Sequence, residues 1–141
     1  MSRQLATFML GGAHYGVDVL LVQEALRSQT RTPVPLAPPG VAGLVNLRGE
    51  VVLTVDLRHR LGLPLLTEQD DPMMVVVQVD GEPVSLLVDE VGDVLDVEDS
   101  QFETPPDTLD PSLRELIVGA YKLPTGLLLA LDVRRATAHA A

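Results

Sequence analysis

Cysteine and tryptophan are absent from this 141-residue chain, and its aromatics are limited to Phe8, Tyr15, Phe102 and Tyr121. Without cysteine there is no disulfide framework, no thiolate nucleophile and no cysteine-held metal, a composition suited to a reducing compartment. With so few rings, a core must be assembled from Val, Leu and Ala, and 46% apolar residues suffice for one compact domain. No run approaches the roughly 20 apolar residues of a membrane helix. Met1-Ser2-Arg3-Gln4-Leu5 lacks the apolar stretch of a signal peptide, so a cytoplasmic location is expected. Bases are also scarce where acids are dense: residues 68–115 hold fifteen of the twenty acids and one base, Arg114. With a net charge of −10, nucleic acid is excluded as a partner, since its binding rests on neutralising phosphates. The acidic stretch reads as a solvated face, with steering of a basic partner as the alternative.

Catalytic patterns are missing too. None of Ser2, Ser28, Ser85, Ser100 and Ser112 lies in a G-x-S-x-G turn, and His14, His59 and His139 are scattered without ligand spacing. Asp89-Glu90, Asp93 and Asp96 imitate a carboxylate cluster, but neighbouring strand residues point to opposite faces. No catalytic, cofactor-binding or metal-binding residue is expected. A small hydrolase using Asp89 or Asp93 is the distant alternative, and the lack of a nucleophile–base pair counts against it.

What is present is strand signal. Ala6–Leu10, a Gly11-Gly12 turn and Tyr15–Val19 read as a hairpin. Leu20–Arg27 holds good helix formers and no turn residue, and is read as a short helix. The four prolines of Arg31–Gly40 demand an extended connector. Strands are expected on both sides of Asn46-Leu47-Arg48-Gly49-Glu50, followed by a helical turn, 57–61, capped by Asp56 and closed by Gly62. Pro64–Pro72 reads as an acidic loop. Met73–Val79 and Pro83–Val88 flank an Asp80-Gly81 turn, the strongest hairpin signal in the chain. Val91–Val97, Leu116–Leu123 and Leu127–Leu131 complete the strands, with a proline-bearing loop over 99–111 holding a Ser100…Glu103 capping box. A terminal helix is expected over Val133–Ala138.

The chain repeats itself. Shifted by 76 positions, Gly43–Leu47 falls on Gly119–Leu123 and Val51–Arg58 falls on Leu127–Arg134, with Gly, Leu, Leu, Asp and Arg identical at five positions. Val17–Leu26 and Leu86–Leu95 correspond at a slightly different offset. Two related β subdomains built as small antiparallel barrels are therefore expected, about 15–70 and 71–135 within one 1–141 domain, the N-terminal strand being free to exchange between them. The turn between the repeated strands is Arg48-Gly49-Glu50 in one copy and Pro124-Thr125-Gly126 in the other. Both make a turn; only one carries an arginine. Arg48 is left over once the fold is accounted for, which marks it as a surface contact.

Tyr15-Gly-Val-Asp-Val19, Val22-Gln-Glu24, Gly43-Leu-Val-Asn-Leu-Arg-Gly49, Val55-Asp-Leu-Arg58 and Leu87-Val-Asp-Glu-Val91 together resemble the CheW family of chemotaxis coupling proteins, in the right order along essentially the whole chain. The resemblance implies a mainly β fold of two SH3-like, five-stranded antiparallel barrels packed together with short helices. It implies a non-catalytic scaffold without cofactor, coupling the cytoplasmic tips of methyl-accepting chemoreceptors to the regulatory domain of a CheA-type histidine kinase. Recruitment to membrane-associated receptor arrays without membrane insertion follows, and a non-flagellar chemosensory adaptor is the runner-up. Carried residue by residue, receptor or kinase contact is implied for Arg48, Glu24, Val22, Gly43 and Val75. Gly43 serves either contact or relief of backbone strain, Val22 serves the core more than an interface, and Glu24 with Arg48 serves partner contact or a mutual surface ion pair. Leu53 departs from the family, which commonly has proline there.

Overall fold

The computed structural model describes residues 2–66 and 70–138. Along the chain run β1 (Ser2–Leu10), β2 (Ala13–Asp18), a 3-10 turn (Val19–Leu21), β3 (Val22–Arg27), β4 (Val41–Leu47), β5 (Glu50–Asp56) and α1 (Arg58–Leu61). Then follow β6 (Met73–Val79), β7 (Glu82–Val88), β8 (Glu90–Glu98), a second 3-10 turn (Asp99–Gln101), β9 (Phe102–Glu103), α2 (Pro111–Arg114), β10 (Ile117–Leu123), β11 (Gly126–Leu131) and α3 (Val133–Thr137). The strands form two sheets, ordered β8-β1-β2-β11-β10-β9 and β3-β6-β7-β5-β4. The first takes strands from both ends of the described chain; the second is built from its middle.

Three expectations are corrected. Leu20–Arg27 is not an α-helix: Leu20 and Leu21 end the first 3-10 turn, and Val22–Arg27 is β3. Its residues alternate, with Val22, Glu24 and Leu26 half-buried and Gln23, Ala25 and Arg27 exposed, and β3 pairs with β6 from Val22↔Val77 to Arg27↔Met73. Cross-strand burial outweighs the helix propensity of Gln, Glu, Ala and Leu, a difference of tenths of a kcal/mol per residue. The sheets are also neither wholly antiparallel nor both five-stranded: β2 lies parallel to β11 and β5 parallel to β7, and the first sheet has a sixth, two-residue strand, β9. A parallel pair needs a long crossover: between β2 and β11 the chain builds the whole second sheet, and between β5 and β7 it passes through α1 and β6 of the same sheet. The capping box sits two residues earlier than expected, on Glu98 and Gln101. Residues 67–69 of the expected acidic loop and the tail from His139 lie outside the described residues.

The repeat is visible in the ladders. Gly43 and Gly119 occupy the same bulge, where Val41↔Val55 gives way to Gly43↔Thr54 and Ile117↔Leu131 gives way to Gly119↔Ala130. The β1–β2 pair Leu5↔Asp18 matches the β6–β7 pair Met74↔Leu87, and the parallel pair Ala130↔Gly16 matches Thr54↔Ser85. The main core lies between the sheets, around Phe8, Leu10, Val55, Val75, Leu86 and Leu131. Each sheet also curls around a small cluster of its own: Leu5, Val97, Tyr121, Leu128 and Ala130 in the first, Val45, Met74 and Leu87 in the second.

Candidate interaction surfaces

Arg48 and Gly49 form the β4–β5 turn with φ of 54° and 85°, the left-handed pair that a two-residue hairpin turn requires. Asn46 Oδ1 accepts from Gly49 N at 2.9 Å and fixes the turn. From there the Arg48 guanidinium donates to both carboxylate oxygens of Glu24, Nη2 to Oε1 at 2.8 Å and Nη1 to Oε2. Such a two-pronged contact suits the planar fork of arginine. Hydrogen bonding to Arg48, with its charge, holds the Glu24 carboxyl below the usual glutamate value and raises Arg48 above its own. Glu24 stands on β3 and Arg48 at the end of β4, the two edge strands of the second sheet, so the pair spans the open seam of that sheet. Arg48 is 75% exposed and Glu24 19%, so the arginine offers its outer face to solvent while its carboxylate partner is shielded.

Gly43 flanks the same seam. Its φ is 135°, and a Cβ would stand 2.7 Å from the Thr32 carbonyl oxygen. Thr32 and Leu44 exchange two backbone hydrogen bonds of 2.8 Å, pinning the proline-rich connector along β4. Gly43 is thus required for the close approach of that connector. Val22 is half-buried opposite Val77 and packs on the inter-sheet core. Val75 is inside that core at 4% exposure. Of the five predicted residues, the structure brings Glu24 and Arg48 into contact, sets Gly43 beside their seam, and turns Val22 and Val75 inward.

Exposed apolar residues escaped the sequence reading. Val51 (63% exposed) and Leu127 (46%) each follow a β-hairpin turn and fall on one another in the repeat. That coincidence was the available signal: an apolar residue kept at a turn in both copies. Leu20 and Val94 are exposed as well. Asp89, considered for catalysis, is engaged by Arg58 and accepts from Gly11 N at 2.8 Å, tying the β1–β2 turn to α1. A groove of about 760 Å³ opens beside the inner cluster of the first sheet, with Leu5, Gly16, Val118, Tyr121 and Ala130 among its walls.

Two open sheets carrying a clasped seam, exposed apolar turns and a groove define an all-β docking module. Comparison with known proteins gives the family. The family model described as a CheW-like domain matches residues 4–141. The chain is 37% identical to the chemotaxis protein CheW of Rhizobium meliloti over 131 residues, 93% of this chain and 84% of that protein. It is 31% identical to the chemotaxis protein CheW of Treponema pallidum over 136 residues, 94% and 80% of the two chains. The crystal structure of the scaffolding protein TtCheW from Thermoanaerobacter tengcongensis superposes with a TM-score of 0.82 at 26% identity, covering 94% of this chain and 90% of that one. The chain belongs to the CheW-like family and is a chemotaxis coupling scaffold of that type. Its two sheets correspond to the two SH3-like barrel subdomains of the fold, left unclosed. The family is one of non-catalytic scaffolds. Among the described residues, no helix is long and apolar enough to cross a membrane.

Proposed function

We propose that this chain couples the cytoplasmic tips of methyl-accepting chemoreceptors to the regulatory domain of a CheA-type histidine kinase, acting in the cytoplasm at receptor arrays, without catalysis or cofactor. The observation that carries the reading is the Arg48–Glu24 clasp. An arginine in a left-handed turn, mostly exposed and already oriented by a carboxylate, loses little freedom when a partner carbonyl or carboxylate takes its outer face. Val51, close by in sequence on β5, supplies apolar surface at the same end of the strand. Simultaneous occupation of two surfaces places the kinase under receptor control, provided that binding differs between receptor states.

The test is binding of wild type and Arg48→Glu to the kinase regulatory domain and to a receptor-tip fragment, with circular dichroism to confirm folding. Coupling requires that wild type bind both partners and that the folded variant lose one of them. Failure of wild type to bind either at tens of micromolar overturns the assignment.

A further inference from the structure

We propose that the groove between the inner cluster of the first sheet and the β6–β7 turn of the second is a docking site for a short, extended, leucine-bearing segment of a partner protein. This goes beyond the coupling role and rests on a comparison of the two halves of the molecule. In the second sheet the equivalent place is filled by the chain itself. After α1, Leu63 packs on the inter-sheet core and Leu66 packs on the inner cluster Val45, Met74 and Leu87. The repeat maps those three residues onto Tyr121, Leu5 and Asp18, and all three line the groove. The floor is correspondingly smaller: where the second sheet pairs Thr54 with Ser85, the first pairs Ala130 with Gly16. Among the described residues, none packs on the first-sheet cluster in the place that Leu66 takes on its counterpart.

The anchoring chemistry is duplicated as well. Asp56 uses its two carboxylate oxygens for two tasks: Oδ1 accepts from Arg58 N, at the start of α1, at 3.0 Å, and Oδ2 accepts from Leu66 N at 3.2 Å and holds Leu66 in place. Its repeat counterpart, Asp132, is the N-cap of α3, with Oδ1 accepting from Arg135 N, one residue further along than in the first copy, at 3.1 Å. Asp132 Oδ2 faces the Arg135 side chain at 3.5 Å instead of a covering amide, and it lies on the groove. An incoming backbone N–H at Asp132 and a leucine side chain between Leu5 and Tyr121 would reproduce the Leu66 arrangement.

Charge selects the remainder of the occupant. The lining carries Asp18, Asp80, Asp99 and Asp132 against Arg3 and Arg134, with Arg134 paired to Asp80 at 2.7 Å and Arg135, just outside, to Asp132 at 3.5 Å, so acids outnumber bases by one. The excess of acid favours a segment with a lysine or arginine beside its leucine. A second copy is disfavoured as the source, because its own Leu66 is held by Asp56 and packed on its own inner cluster.

The probe is a blocked peptide, Gly-Leu-Pro-Leu-Leu-Lys, titrated into the full isotope-labelled chain and followed by amide NMR shifts. Shifts should centre on Leu5, Gly16, Tyr121 and Ala130. Affinity should fall about tenfold in Ala130→Thr, which rebuilds the floor of the other half. It should fall similarly in Asp132→Asn, which keeps a helix-capping oxygen but puts a donor in place of the second acceptor. The second variant keeps the test valid if the first disturbs the sheet. Absence of shifts up to roughly millimolar peptide, shifts centred elsewhere, equal binding by a peptide with asparagine at each leucine, or unchanged affinity in folded Asp132→Asn would each overturn the proposal. So would a self-associated dimer, seen by sedimentation, whose contact occludes the groove. Kinase and receptor-tip binding by Asp132→Asn should equal wild type, so that this site and the coupling role stand or fall separately.

Discussion

Replacing Val75 by alanine separates a core role from a contact role at one position. The side chain lies between the sheets at 4% exposure, opposite Ala25 on one neighbour and Leu86 on the other. The change removes two methyl groups, worth about 0.8 kcal/mol each in transfer free energy. The vacated space of roughly 50 Å³ adds about 1.2 kcal/mol if the surrounding Val, Leu and Phe side chains hold still. The total is about 2–3 kcal/mol, a fall of roughly 8–12 °C in Tm for a domain of this size. Urea unfolding followed by circular dichroism measures the loss, and titration with the kinase regulatory domain well below Tm measures contact. Stability should fall as calculated while affinity for the kinase domain stays within about twofold, since a fully packed residue offers no surface to a partner. A variant that melts like wild type but loses binding would refute the placement of Val75 in the core.

Other perturbations test the seam and its surroundings. Glu24 titrates below the usual glutamate value because Arg48 binds its charged form, so the clasp is intact above that range and lost as pH falls through the depressed value. Carbonyl NMR should show a midpoint that rises in Arg48→Gln; an unchanged midpoint rules out the pairing in solution. Gly43→Ala, forced to φ 135° against the Thr32 carbonyl, should cost about 1–3 kcal/mol and speed hydrogen exchange at Thr32 and Leu44; protection equal to wild type contradicts the close approach. The Thr54 hydroxyl is buried without a hydrogen-bond partner, so Thr54→Val should stabilise by about 1 kcal/mol. A lower urea midpoint would mean that the hydroxyl is satisfied after all.

The turns and the repeat were legible because glycine and aspartate carry local information. Asp80-Gly81 takes φ of 51° and 82° as its sequence requires, and Gly43 and Gly119 fall on matching bulges. Leu20–Arg27 was not legible, because its composition favours a helix and only β6 makes it a strand; that partner lies about 50 residues away. Arg48 could be singled out because the second copy turns without it. Its contact with Glu24 depends on the curl of a whole sheet, which brings two edge strands together. Val75 could not be told from a surface residue because an entire apolar strand, Met73-Met-Val-Val-Val77, shows no alternation to separate its faces. The groove left no mark in either half alone; it exists only as a difference between the two.

The division of strands between the sheets has a consequence for the order of events as the chain folds. The second sheet is contiguous, from Val22 to Val88, and every pairing in it is available once that stretch exists. The first sheet is not: β2 closes against β11, with Tyr15 beside Leu129, after more than a hundred intervening residues. Closing so long a loop is slow relative to local pairing. The β1–β2 hairpin pairs with β8 and packs on the second sheet before then, but the free edge of β2 and the Leu5 side of the hairpin stay open until β10 and β11 arrive. A cut or stall between Glu98 and Ile117 would leave one finished sheet and a first sheet without β10 and β11. The joining of the two ends, rather than collapse of the middle, is the step at which this molecule commits to its final form.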